Sequence, residues 1–137
     1  MKRNIQLLVY SLIVIGVLTA CDLETEKAGR VEGMWHLEQV DSLQTGKVCD
    51  LSGQRLFWSF ERKLMSLTDA DGHNVEYLMR FEDTGDSLWV SDPYESNREK
   101  GDIAVSDAAV LHPYGINSLT DRFKIERLSG KRMLLST

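Results

Sequence analysis

Most of the chain beyond its first quarter alternates between apolar and polar residues, which is typical of β-strands that bury one face. In VEYLMRFE, residues 75–82, apolar side chains recur at every second position from Val75 onward. RLFWSFE, residues 55–61, and DRFKIERL, residues 121–128, alternate in the same way. The pattern therefore predicts an all-β domain.

Short turns separate the alternating runs. Asp71-Gly72, Gly85-Asp86 and Ser129-Gly130 each place a glycine where a tight turn requires a positive φ. Turns of this kind join neighbouring strands in an up-and-down meander, and we expect about eight strands. The predicted strands cover residues 34–41, 55–61, 63–68, 74–82, 87–91, 103–106, 121–128 and 131–136. Closure of such a sheet into a small antiparallel barrel removes both exposed edges.

Two stretches depart from the alternation. DPYESNREKGD, residues 92–102, is polar and predicts a loop. SDAAVLHPYGINSLTD, residues 106–121, leaves room before Pro113 for only a helical turn or two, which Ser106 or Asp107 would cap. We expect a short helical turn or ordered loop across one end of the barrel, with both stretches bordering the mouth.

The first twenty residues have the composition of a secretory signal. Lys2 and Arg3 precede an apolar run from Leu7 to Leu18. This run is well short of the roughly 20 apolar residues that a membrane-spanning helix needs. Residues 1–20 are therefore predicted to be a signal peptide rather than a transmembrane anchor.

The signal ends in Leu18-Thr19-Ala20-Cys21, which closely resembles the lipobox of bacterial lipoproteins. The resemblance implies cleavage before Cys21 and a diacylglyceryl group on its thiol, which anchors the protein on a membrane that it does not cross. Residues 21–32 are charged and predict a lipidated tether, and residues 33–137 form the predicted barrel domain.

The expected location is the cell envelope, with the outer membrane favoured over the inner. Acidic residues follow Cys21 directly. Such a run marks export to the cell surface in some Gram-negative groups, whereas Asp at the next position means inner-membrane retention in others. Both alternatives stay open.

Charge and cysteine content narrow the set of partners. The net charge of −5 argues against nucleic acid, and loss of Lys2 and Arg3 with the signal makes the protein more acidic. The chain has two cysteines, so lipidation of Cys21 leaves Cys49 without a disulfide partner. We interpret Cys49 as a small buried or loop residue.

The sequence carries no motif that indicates catalysis. His36, His73 and His112 lie far apart, and none has a Cys or His at a metal-ligand spacing, so we predict no metal site and no cofactor. The sequence also lacks G-x-S-x-G, a phosphate-binding glycine loop and H-E-x-x-H. We therefore expect a protein that is not an enzyme.

Gly33-Met34-Trp35 stands at the start of the first predicted strand. A glycine followed two places later by tryptophan, entering an up-and-down barrel, resembles the G-x-W signature of the lipocalins. Together with the lipobox, this motif makes the chain similar to the small lipocalin-like lipoproteins of Gram-negative bacteria. The resemblance implies that Trp35 closes the barrel floor and stacks with a basic residue near the last strands.

Three basic residues are alternatives for that stacking partner: Arg122, Lys124 and Arg127. We favour Arg127, because strict alternation places it on the same face as Phe123 and Ile125. A buried arginine there needs a charge partner or the face of an aromatic ring.

The lipocalin resemblance leads to two functional hypotheses. In the first, the barrel binds a small apolar or amphipathic ligand in a cavity. The candidate lining residues are Leu37, Leu56, Trp58, Phe60, Val75, Tyr77, Met79, Phe81, Phe123 and Ile125. In the second, the same side chains fill the barrel, and its loops act as a protein-interaction or inhibitor module on an envelope protein. Exposed Trp89 and Tyr94 would favour the second hypothesis, since aromatic residues are enriched at binding hot spots.

Overall fold

The computed structural model describes residues 29–42, 44–72 and 75–137. The predicted signal peptide, the lipid attachment at Cys21 and the first part of the tether lie outside the described residues, as does His73. The strands are β1 Gly33–His36, β2 Gln39–Asp41, β3 Val48–Asp50, β4 Leu56–Glu61, β5 Leu64–Asp69, β6 Glu76–Asp83, β7 Ser87–Glu95, β8 Ile103–Ala104, β9 Asp121–Leu128 and β10 Met133–Ser136. Two 3-10 helices span Gly29–Val31 and Ala108–Tyr114.

Eight of these strands form one antiparallel sheet in the order β1-β4-β5-β6-β7-β9-β10, with β8 also pairing with β7. The sheet curves into a nearly closed barrel. The remaining strands, β2 and β3, form a separate hairpin. The prediction of a small all-β antiparallel barrel with one short helical segment in its C-terminal third is confirmed.

The core lies inside the barrel, because alternate side chains of the central strands point inward. In β4, Leu56, Trp58 and Phe60 are buried, whereas Phe57 and Ser59 are half-buried on the other face. Met65 and Leu67 repeat the pattern in β5. Burial of these apolar side chains is the main favourable contribution to folding.

The predicted first strand, 34–41, is in fact two strands. Glu38 O accepts a hydrogen bond from Leu51 N, which ties the chain after β1 to the end of the β2–β3 hairpin. Val40 in β2 then pairs with Cys49 in β3 rather than with β4. Strands of three residues are too short to carry a recognisable alternation, and the sequence therefore did not predict this hairpin.

A bulge extends β7 beyond its predicted end and into the predicted loop 92–102. Leu78 of β6 pairs with Tyr94, but Arg80 pairs with Ser91, so that β7 has one residue more than β6 at this point. Asp92 adopts a left-handed φ of 51° there. The extra residue reverses the alternation of side chains along β7. As a result, Pro93 is buried, whereas Asp92 and Tyr94 are exposed.

The last two strands contain a second bulge. Leu134 of β10 pairs with Arg127 and Leu135 pairs with Ile125, which leaves Glu126 as the extra residue of β9. The alternation of β9 therefore changes phase after Ile125. As a result Leu128 packs against the core.

Residues 29–32, just before the first strand, contact the barrel. Val31 is 1% exposed and belongs to the hydrophobic core. Arg30 is bonded to Asp83 in the turn between β6 and β7. Residues 29–32, which were predicted to be tether, are thus part of the barrel's structure.

Candidate binding site

Nine of the ten predicted cavity-lining residues belong to the barrel core or pack against it. Leu56, Trp58, Phe60, Met79 and Phe123 are buried. Leu37, Tyr77, Phe81 and Ile125 are half-buried and pack against them. Val75 is the exception, because it precedes β6 and is exposed. β6 therefore begins at Glu76, and its inward-facing positions begin at Tyr77, two residues later than the sequence pattern indicated.

The buried side chains pack closely inside the barrel. Met65, Leu67, Leu88 and Val90 are 0% exposed, so no part of their surface is open to a water molecule. The rings of Trp58 and Phe123 meet edge to face with centroids 5.5 Å apart, and other aromatic pairs pack similarly. A barrel of about eight strands is just wide enough for its own side chains to occupy its interior.

The first 3-10 helix closes the floor of the barrel. Trp35 Nε1 donates a hydrogen bond to Val31 O at 2.8 Å, which holds the half-buried indole under the core. Gly33, with a φ of 116°, lets the chain turn from the helix into β1. The G-x-W motif thus lies where the helix and the first strand meet.

An arginine clamp secures this floor from outside. Arg30 donates through Nε and Nη2 to the two carboxylate oxygens of Asp83, at 3.0 and 2.8 Å, and through Nη2 to Gly85 O. The hydrogen bond from Arg30 lowers the pKa of the Asp83 carboxyl below its usual value. The Asp83 side chain is 16% exposed and that of Arg30 is 50% exposed, so the clamp lies at the protein surface.

The predicted role of Arg127 as the basic partner of Trp35 is wrong. Arg127 is exposed on β9, because the bulge at Glu126 turns it away from the face of Phe123. Strict alternation would have pointed it inward. The indole of Trp35 is instead bonded to the backbone of Val31.

The segment 105–120 closes the opposite end. Its 3-10 helix begins at the cap Asp107, whose carboxylate accepts a hydrogen bond from Ala109 N, and ends at Gly115 with a left-handed φ of 80°. Leu111 and Ile116 are 0% exposed and Tyr114 is 5% exposed. The segment therefore inserts three apolar side chains into the end of the barrel.

A buried hydrogen bond and a ring contact are among the interactions that join this segment to the strands. Trp58 Nε1 donates to Tyr114 O at 3.0 Å, and both groups are buried. The rings of Tyr77 and Tyr114 have centroids 6.1 Å apart. Burial raises the pKa of the Tyr114 hydroxyl above its usual value, and the negative charge of Asp69 adds to this shift. The sequence signal for the insertion is the three-residue spacing of Leu111 and Tyr114, which places both on one side of a 3-10 helix.

The outer face of β7 carries an exposed tryptophan held in place by an arginine. Trp89 is 41% exposed, as its place between inward-facing Leu88 and Val90 predicts. The guanidinium carbon of Arg122 lies 5.5 Å from the centre of the Trp89 ring. Arg122 also donates through Nε and Nη2 to the buried Ser87 Oγ, at 3.1 and 3.0 Å. The sequence did not predict this pair, because it depends on the register that places Trp89 opposite Arg122.

A small depression lies farther along the same strand. Its volume is about 190 Å³. It is lined by Asp92, Pro93, Tyr94, Ala104, Val105, Leu119 and Thr120. Tyr94, like Trp89, is 41% exposed. Both aromatic residues named in the second functional hypothesis are therefore on the surface.

Three further observations concern chemistry and membranes. In residues 29–42, 44–72 and 75–137, no group of three or more His, Cys, Asp or Glu side chains is placed to hold a metal ion. Over the same ranges, no helix has the length and apolar character needed to span a bilayer. Cys49 is a free, exposed thiol in β3 and is not buried.

Comparison with known proteins identifies a family. A family model described as a lipocalin-like domain matches residues 16–137. No curated protein and no solved structure matches the chain significantly. The matched range includes the whole described barrel, with the floor helix and the segment 105–120.

Proposed function

The chain belongs to the lipocalin-like domain family, and on that premise we propose that it is an envelope-anchored, non-enzymatic binding protein that acts through the outer face of a filled barrel. The fold is compatible with ligand binding, and the family is generally a non-enzymatic binding fold. The observation that carries the proposal is the packed interior, in which Met65, Leu67 and Val90 have no exposed surface. A protein with this interior presents its recognition chemistry outside.

The outer face of β7 supplies that chemistry. Tryptophan, tyrosine and arginine are the residues most enriched at binding hot spots. Trp89 and Tyr94 are both exposed on β7, and Arg122 contacts the Trp89 ring. Arg122 is already held by Ser87 and by the Trp89 ring, so a partner loses little side-chain entropy on binding it. We place the partner among proteins of the cell envelope, where lipid on Cys21 would hold the barrel.

Site-specific photocrosslinking in the cells that produce the protein tests the proposal. A photoreactive phenylalanine analogue replaces Trp89 or, separately, Tyr94 in the full chain. Val48, which is 63% exposed in the β2–β3 hairpin, receives the same analogue as the control. We expect light-dependent adducts of one mass at positions 89 and 94 and none at position 48. Equal adducts at all three positions, or none at any, would contradict the proposal.

A second candidate function is binding of a small apolar or amphipathic ligand inside the barrel. It is favoured by the way in which the segment 105–120 is held, since Leu111, Tyr114 and Ile116 contribute apolar contacts that an apolar ligand would replace. The ligand would occupy the space beside Trp58 and Tyr77 after this segment moves outward.

Native mass spectrometry distinguishes the two candidates. The full chain is purified in nanodiscs, and its mass is recorded before and after organic extraction and after re-addition of the extract. A bound small molecule that is lost on extraction and regained afterwards would support the internal site. A bare mass, with no uptake of fatty acids, would leave the outer face as the binding surface.

A further inference from the structure

The bulge in β7 does more than lengthen the strand, because it determines which side chains meet the solvent. Without the extra residue, Asp92 and Tyr94 would continue the inward series of Leu88 and Val90. With it, Pro93 takes the inward position, and the carboxylate of Asp92 and the ring of Tyr94 both lie outside. The left-handed backbone at Asp92 is a conformation that a non-glycine residue rarely adopts.

The depression forms where β7 changes its pairing partner. Val90 pairs with Asp121 at the start of β9, whereas Tyr94 pairs with Ala104 of β8. Between these two points the chain leaves the sheet edge, and a space of about 190 Å³ remains. Its walls are mainly apolar or aromatic, and the only charged group in the lining is the carboxylate of Asp92.

The size of the depression limits what it can accommodate. Small-molecule sites usually have volumes of roughly 300–1,000 Å³. At about 190 Å³ the depression is below this range, which suits one long side chain better than a lipid. We therefore expect a single side chain of another protein, rather than a lipid, to occupy the depression.

Charge selects the kind of side chain. Among the residues that the structure describes, the cationic neighbour of the Asp92 carboxylate is Arg80, whose Nε lies 3.9 Å away; the side chains of Asp92 and Arg80 are 63% and 69% exposed. Such an exposed pair at this distance is weak, so the carboxylate stays open to a second cation. The nearby Arg122 is held by Ser87 and Trp89. The net charge of −5 adds a general attraction for basic partners.

We infer that this depression binds a basic side chain of the partner protein, with the apolar stem on Val105 and Leu119, the cation at Asp92, and Tyr94 supplying its π-face. Arginine suits the site better than lysine, because its planar guanidinium stacks on aromatic rings and is more weakly hydrated. The inference rests on the proposed action of the outer face, and it adds the chemistry of the partner.

An NMR titration of the full chain in nanodiscs tests the inference. The probe is blocked arginine, N-acetyl-arginine N-methylamide, and the neutral comparison is blocked citrulline, which has nearly the same shape. We expect saturable shifts of the amide signals of Tyr94, Ala104 and Leu119 in the millimolar range, and at least about fivefold weaker binding of citrulline.

Three variants locate the interaction. Asp92→Asn should weaken the binding of blocked arginine about fivefold. Tyr94→Leu, which keeps an apolar wall, should weaken it about threefold. Glu99→Gln is the matched control, because it removes a carboxylate from the same region outside the lining, and it should leave binding unchanged. Unchanged spectra elsewhere in the barrel establish that each variant is folded.

Several results would overturn the inference. They are an absence of saturable shifts around the depression, an equal response to citrulline, or unaltered binding in Asp92→Asn. A stronger response to methyl glucoside than to arginine would also overturn it and assign the depression to a glycan. If photocrosslinking at Trp89 persists in Asp92→Asn cells while the titration fails, the proposed outer-face function stands and only the assigned side chain is wrong.

Discussion

The two ends of the barrel are closed by different physical means. At the floor, Val31 is buried in the core, but the contacts that hold the helix in place are polar and lie near the surface. They are the ion pair of Arg30 with Asp83 and the hydrogen bond from the Trp35 indole to Val31 O. At the other end, the closing contacts are mostly apolar and buried, with Leu111 and Ile116 fully enclosed. Exposed ion pairs contribute about 0–1 kcal/mol, whereas burial of one large aliphatic side chain contributes about 1.5–3 kcal/mol.

This difference indicates how each end responds to its surroundings. Salt and acid weaken the contacts at the floor, because those contacts are electrostatic. An apolar ligand competes with the segment 105–120, because that segment is held by contacts of the same kind. The second candidate function therefore requires the 105–120 end to open, and the floor to stay closed.

The largest expected effect is at the 105–120 end. Ile116→Ala should lower the free energy of unfolding by about 2–5 kcal/mol, since a fully buried side chain leaves a cavity. Urea unfolding followed by circular dichroism measures the change. Val110→Ala, at a 40% exposed position of the same segment, should stay within about 0.5 kcal/mol of wild type. A loss below about 1 kcal/mol for Ile116→Ala would refute tight closure of this end.

The next largest effect is the loss of stability when a tryptophan that donates to a backbone carbonyl is replaced by phenylalanine. Trp58→Phe leaves Tyr114 O buried without its donor and should cost about 1–3 kcal/mol. Trp35→Phe removes the bond to Val31 O at a half-buried place, where water can replace the donor, and should cost about 1 kcal/mol or less. The same urea titration measures both variants. The reverse order would make the floor the more firmly held end.

The arginine clamp should contribute less than either buried group at the other end. We expect Asp83→Asn to lower stability by about 1 kcal/mol or less, and molar salt to remove most of that difference. Glu82→Gln, an exposed neighbour in β6, is the control and should have no measurable effect. A salt-independent loss above about 2 kcal/mol would mean that the floor does not depend on surface electrostatics.

The pH dependence of the clamp gives the smallest effect. The folded-state pKa of Asp83 is lowered, so its contribution to stability is present above the unfolded pKa of about 4 and is lost as the pH falls through the folded value. The stability difference between wild type and Asp83→Asn should therefore shrink below about pH 4. Thermal unfolding of both proteins between pH 3 and pH 6 would measure it. A difference that grows on acidification would have the wrong sign.

The sequence predicted the barrel because alternation is a local property, and β4, β6 and β9 keep it over most of their length. It failed where one extra residue changes the phase. Arg127 was placed inside because nothing in the run from Phe123 onward announces the bulge at Glu126. Register is a property of two strands together, and a single run of residues does not contain it.

The candidate site was predictable to a similar degree. The exposure of Trp89 followed from its own strand, and the closure of one barrel end followed from the break in pattern near Pro113. The contact of Trp89 with Arg122 could not be predicted, because the two residues meet only when β7 pairs with β9. The same holds for the arginine clamp at the floor, whose partners are 53 positions apart.

The interrupted pairing along β7 has a consequence for protein engineering. β8 and β9 occupy the same edge of β7, and Val105 N still donates to Pro93 O between them, so residues 106–120 are an insertion that spans only positions 91 and 92 of β7. Replacing them with a linker of about one or two residues would match the span of the missing strand at about 3.3 Å per residue. The shortened chain would keep every strand pairing and lose the side chains that seal one end, which would convert a solid scaffold into a container with one opening.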